Sequence, residues 1–266
     1  MQSSVRRLRI LFGALLSLFT LGTAACLTPA VTAGYDLRLH YFETGNLPFI
    51  LSVVFALLGA LAAIAFAVTV RTKKLPLSPV YNPATIFCAA LIGFLLFFFF
   101  IFSIPSASGW MSRISLAVMA LSAFYFLIPT QKTAAGIPIR ALLSLAPILF
   151  AFFSVLEIYF NADMGMNAPL KSYYLMMYLS MALFFTAEAR TALLRTKIAL
   201  YCLFAGLCAV LAGGIGISHI VLSLQGISLP LSLQQSLLSA AIAVYAILRL
   251  FFLQETDETD NNTSAE

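Results

Sequence analysis

The chain of 266 residues is 62% hydrophobic and only 9% charged, whereas soluble domains run near about 45–50% apolar and about 25% charged. No water-facing surface can be built at that composition, which excludes a soluble globular domain and predicts an all-α, polytopic transmembrane helix bundle with the lipid bilayer as its solvent. The formal charge of +5 falls in short clusters between apolar runs and forms no continuous basic face, so nucleic acid is excluded as a partner.

A bilayer core about 30 Å thick needs roughly 20 apolar residues of helix, and eight runs meet that length. The first, Ile10–Ala30, follows the basic stretch Arg6, Arg7 and Arg9. A basic start, an apolar run and small residues near Ala33 also describe a signal peptide, and cleavage there would leave seven spans. The charge-free run from Ile10 to Tyr35 is longer than a usual signal core, which favours a retained first span. The next four runs are Leu47–Val70, Thr85–Ile104, Trp110–Thr130 and Ala141–Phe160. Pro147 lies inside the fifth, where it removes a backbone hydrogen bond and predicts a kink. The sixth is Ser172–Thr191. Beyond it, Ile198 to Leu248 carries no charge at all and is too long for one span. The glycine and proline of QGISLP (Gln225–Pro230) divide it into Ile198–Leu222 and Leu229–Leu253.

Orientation follows from lysine and arginine. With the N-terminus inside, twelve of the fifteen basic residues fall on the cytoplasmic side and three, Arg38, Arg113 and Lys171, fall outside. Both termini are then cytoplasmic and the protein is placed in the cell membrane. Residues 1–254 form the bundle, and residues 255–266, which hold five of the ten acidic residues, form an acidic disordered tail.

The ionisable residues within spans are the candidate functional groups. Glu188 lies about 24 Å along a helix that starts at Ser172, near the cytoplasmic boundary. There it is expected to pair with Arg140, Arg195 or Arg249, while Arg190, two residues on, points elsewhere. Glu157 falls at the outer end of the fifth span, level with Arg113, Lys171 and His219. The two glutamates sit at opposite ends of adjacent spans, so they cannot act together as a general acid and base. His219, within GGIGISHIV, is the one histidine inside a span; an interfacial, hydrogen-bonded role is expected, with a proton relay as the alternative. The glycines before it, Gly213, Gly214 and Gly216, predict close helix packing. Cys26, Cys88, Cys202 and Cys208 all fall in apolar runs and lack the spacing of a disulfide framework or a metal site. No metal and no cofactor is expected.

The most distinctive loop is FNADMGMNAPLKSYY, Phe160 to Tyr174. Asp163, Asn167, Pro169 and Lys171 are candidates for contacts on the outer side, with proline at the helix start and tyrosines at headgroup level. Met166, Asn167, Pro169 and Lys171, together with Glu188, Ala189 and Arg190, resemble a family of uncharacterised multi-pass membrane proteins of anaerobic Gram-positive bacteria. Its members carry an M/I-N-x-P-x-K loop followed by a span ending in E-A-R. The resemblance covers about 30 residues and implies no activity; it directs attention to this loop and to Glu188.

There is no P-loop, HExxH or GxSxG motif, and the loops are too short to hold a catalytic domain. The sequence is therefore read as a non-enzymatic, transport-related or signalling membrane component, with another membrane or cytoplasmic protein as a candidate partner. The alternative is an intramembrane enzyme acting on a lipid-linked or small apolar substrate.

Overall fold

The computed structural model describes residues 2–36, 39–71, 77–78, 82–106, 110–127, 142–161, 164–165, 167–192, 197–227, 229–252 and 254–255. Among them are eight α-helices: α1 (Gln2–Gly34), α2 (Leu47–Val70), α3 (Pro83–Ser103), α4 (Trp110–Leu127), α5 (Leu145–Phe160), α6 (Pro169–Ala192), α7 (Ile198–Leu224) and α8 (Leu233–Phe251). The only strands among the described residues are two-residue pairs. One hairpin joins Tyr35–Asp36 to Tyr41–Phe42, and Leu77–Ser78 pairs with Gln254–Glu255. The protein is all-α. Five helices, α1 (from Ile10), α2, α3, α7 and α8, are long and apolar enough to cross a membrane, which makes this a multi-pass membrane protein.

The other three helices miss that standard for separate reasons. Helix α5 has 16 residues, and α4 contributes only the shorter apolar stretch Arg113–Leu127. Helix α6 has 24 residues, but Lys171, Glu188, Arg190 and three tyrosines dilute its hydropathy.

Local chemistry sets the helix starts. Asn46 caps α2, accepting from the Phe49 amide at 3.0 Å, while its carboxamide donates to the Ala30 carbonyl of α1 at 3.0 Å. One side chain thus satisfies an orphan donor and clamps two helices together. Asn82 and Thr85 form a capping box at α3, with Pro83 in the first turn. Helix α3 therefore begins two residues before the expected Thr85. Ser232 and Gln235 form a second capping box, which starts α8 at Leu233 and not at Leu229. Gly226, at φ +79°, closes the preceding turn. Helix α6 begins at Pro169, ahead of the expected Ser172.

Pro147 acts more strongly than a kink. Leu142 and Leu143 are helical, Ser144 is a turn, and α5 begins at Leu145, so Pro147 sits in a first turn where no amide partner is needed. The expected start at Ala141 and the expected end of the fourth span at Thr130 lie outside the described residues. So does the acidic tail beyond Glu255.

Helix α7 is the axis of the molecule. It contacts α1, α2, α6 and α8, and 67% of its apolar window is buried, against 22% for α2. Helices α3, α4 and α5 form an arc from α8 round to α6. Lipid tails are as apolar as leucine, so close packing and hydrogen bonds must hold such helices together. Gly216 allows the tightest approach: a Cβ there would lie 2.8 Å from the Ala240 amide nitrogen and 2.9 Å from the Ser236 carbonyl oxygen of α8. On another face of α7, the Thr20 hydroxyl of α1 donates to the Ala209 carbonyl at 3.2 Å, and Thr28 donates to Ser218 at 3.1 Å.

The bundle has two distinguishable ends. The Tyr35–Phe42 hairpin marks one, with the C-terminus of α1 and the N-termini of α2 and α6 joined through Phe42–Phe49 stacking and the Ser52–Tyr173 hydrogen bond. The C-terminus of α8 marks the other, where Phe251 packs on Gly13 near the start of α1.

Candidate functional site

Polar side chains gather in three places, and the first is the tail end. The buried stripe of α6 runs Met177, Met181, Phe184, Glu188 and Thr191, and that of α8 runs Leu238, Ile242, Tyr245 and Arg249. Both follow the three-and-four spacing of one helix face, so Glu188 and Arg249 occupy core positions of an otherwise apolar pattern. They meet as a fork. Arg249 Nε lies 2.7 Å from Glu188 Oε1 and a terminal guanidinium nitrogen lies 3.2 Å from Oε2. The Tyr201 hydroxyl of α7 donates to Oε1 as well. Both charged side chains are 1% exposed. Phe126 and Phe184 stand edge-on to the Tyr245 ring, and Phe184 stands edge-on to Tyr201. Of the three arginines expected to serve Glu188, Arg249 is the partner found, while Arg140 and Arg195 lie outside the described residues. Arg190 is exposed on another face of α6.

The second place is the core of the hairpin end. His219 of α7 is 1% exposed, and its Nε2 lies 3.2 Å from the Tyr174 hydroxyl of α6, with the rings edge-on at 5.2 Å. Nearby, Lys171 turns inward. It is 2% exposed, and its ammonium donates to the Asn161 and Met164 carbonyls, each at 3.1 Å. It therefore ties down the loop that precedes it. Asn167 is exposed and Pro169 opens α6; Asp163 and Met166 lie outside the described residues. Of the three residues level with Glu157, Lys171 and His219 are thus engaged elsewhere, and Arg113 is exposed.

The third place is a cavity of about 310 Å³ where α3 and α5 end and α4 and α8 begin. Glu157 lines it with Ser103, Ser115, Ser154, Gln234 and Gln235, and Phe99 and Phe150 form apolar wall. Its size lies at the lower end of the roughly 300–1,000 Å³ range of ligand pockets. Ser154 falls three residues before Glu157, on the same face of α5. The Ser115 hydroxyl stands beside the carboxylate, the Ser154 hydroxyl donates to the Phe150 carbonyl at 2.9 Å, and Tyr178 stands close by. Among the described residues no cation pairs with Glu157. Glu157 and Glu188 lie at opposite ends of the bundle.

Both glutamates were legible in the sequence, whereas Tyr201, the cavity and the inward turn of Tyr174 from headgroup level onto His219 were not. The serine spacing on α5 and the paired glutamines at the start of α8 were available signals. The convergence of four helix ends was not. The four thiols are free, and no group of three His, Cys, Asp or Glu side chains that could hold a metal occurs among the described residues. No family model matches the chain, and neither a curated protein nor a solved structure matches it.

Proposed function

We propose that this chain is a non-enzymatic, transport-related membrane component that binds a small polar solute in the Glu157 cavity. In this reading it crosses the cell membrane eight times, with both termini in the cytoplasm. The observation that carries the proposal is the contrast between the two acids. Glu188 is closed off by Arg249 and Tyr201, whereas Glu157 faces a cavity lined by serines, glutamines and apolar side chains, with no cation paired to it among the described residues. A structural charge is neutralised and sealed; a recognition charge is left facing open space. The distribution of basic residues, twelve to three, supports an orientation with the hairpin end outside, in which the cavity opens on the outer face. Helix α1 packs along α7 through hydrogen bonds, which supports a retained first span. The seven matched positions of the loop and of α6 keep their resemblance to the uncharacterised family, which brings no activity with it.

The enzyme reading has less support, because catalysis by paired acid and base needs both within reach of one substrate and the two glutamates are a bundle apart. The test is purification from native membranes in mild detergent, with mass spectrometry of co-purifying proteins and retained small molecules. The expected result is a small polar solute released on denaturation, alone or with a stoichiometric partner. A bound lipid-linked substrate and its cleaved product would overturn the reading in favour of an enzyme.

A further inference from the structure

The chemistry of the cavity goes further than a polar solute. We propose that it takes a primary ammonium group, with the Glu157 carboxylate as its counter-charge. The inference rests on the reading of this cavity as a solute pocket. Two helices end at the cavity and two begin there, so their dipoles offset one another. In the first turn of α8 the Gln235 amide is already served by the Ser232 hydroxyl. The sign of the site is then set by Glu157, whose charge no cation among the described residues balances. Around it stand the hydroxyls of Ser103, Ser115 and Ser154 and the carboxamide of Gln234, all of which can accept a hydrogen bond, while the Gln235 carbonyl oxygen is turned to Ser232. A primary ammonium has three N–H donors and needs such acceptors. A quaternary ammonium has none and is recognised by aromatic cages, whereas here two phenylalanines form one wall. A divalent metal is usually held by several carboxylates together with carbonyls, and this cavity offers one carboxylate; no group of three His, Cys, Asp or Glu side chains gathers among the described residues. Phe99 and Phe150 suit a short hydrocarbon stem behind the charged head.

A primary ammonium could arrive as a free amine from outside or as the headgroup of phosphatidylethanolamine. The full chain is placed in nanodiscs of pure phosphatidylcholine, and thermal unfolding is followed with ethanolamine or 1,4-diaminobutane. Ethylene glycol serves as the neutral counterpart and choline as the quaternary one. The expected result is a saturable rise in melting temperature with a primary amine, a smaller one with choline and none with the glycol. Glu157→Gln should weaken amine binding at least tenfold, while its ligand-free melting temperature rises by about 2–4 °C, because an unbalanced charge has been removed. Ser115→Ala should weaken binding severalfold, and it serves as the second variant if Glu157→Gln does not fold. A response that vanishes in nanodiscs containing phosphatidylethanolamine identifies the headgroup as the source; one that persists identifies the free amine. Equal shifts with glycol and amine, or wild-type behaviour in Glu157→Gln, overturn the ammonium while leaving a solute pocket in place. No shift with any compound in either disc overturns both.

Discussion

Glu188 and Arg249 are brought together across 61 residues of chain, and their worth lies in being matched. Leaving one charge of a buried pair alone costs about 3–5 kcal/mol, whereas replacing both by apolar residues of similar volume is often neutral. Glu188→Met or Arg249→Met alone should therefore lower unfolding stability by about 3–5 kcal/mol, and the double variant should recover most of that loss in a double-mutant cycle. Additive losses would show that the pair does not act as a unit. Tyr201→Phe removes one hydrogen bond to a charge and should cost about 1.5–3 kcal/mol. At the hairpin end, burial pushes the Tyr35 phenol up to about 12, and its hydroxyl lies 3.3 Å from His40 Nδ1. The fold thus favours the neutral phenol. That contribution is full below the ordinary phenol value of about 10 and is lost as pH rises through about 12. Alkaline unfolding should set in later for Tyr35→Phe than for wild type, and coincident pH profiles would refute this.

Helix positions were legible in the sequence because a 20-residue apolar run in a bilayer has one good solution. Their starts were less so. Asn82, Ser232 and Pro169 move three starts by two to four residues, since a cap acts through one side chain that a hydropathy average smooths away. Pro147 was recognised as a disturbance, but whether a proline bends or breaks a helix depends on the neighbours that take up the freed carbonyls. The pairing of Glu188 could be narrowed to three arginines by depth alone; the choice among them needed the packing of α8 on α7. The cavity was not legible at all, because it is made by the convergence of four helix ends far apart in sequence. At the scale of an element, Gly216→Ala tests whether α7 is held as tightly as its contacts imply. The added methyl would strike the α8 backbone, and a loss of about 1–3 kcal/mol is expected. Gly165→Ala, with nothing within 4 Å of its Cβ, should stay within about 0.5 kcal/mol of wild type.

The whole molecule is an axis with a cladding: α7 gripped on four sides, and α3, α4 and α5 closing an arc around it. An eight-span arrangement with both termini inside makes His40 external and the tail internal. With the native thiols replaced by alanine or serine, His40→Cys should react with an impermeant maleimide on intact cells, and Ser264→Cys only after permeabilisation. Labelling of both from outside would require an even number of spans between His40 and the tail. The packing of the first helix against the seventh also has a consequence for biogenesis. Thr20 reaches its partner Ala209 across 189 positions of chain, which at about 5–20 residues per second means a wait of roughly 10–40 s between the synthesis of the two. During that interval α1 and α2, joined through Asn46, stand in the membrane as a pair whose polar seam is open to any passing helix. A nascent chain arrested before α7 is therefore a natural client for membrane chaperones and quality-control proteases, and the last third of the translation product decides whether the first third survives.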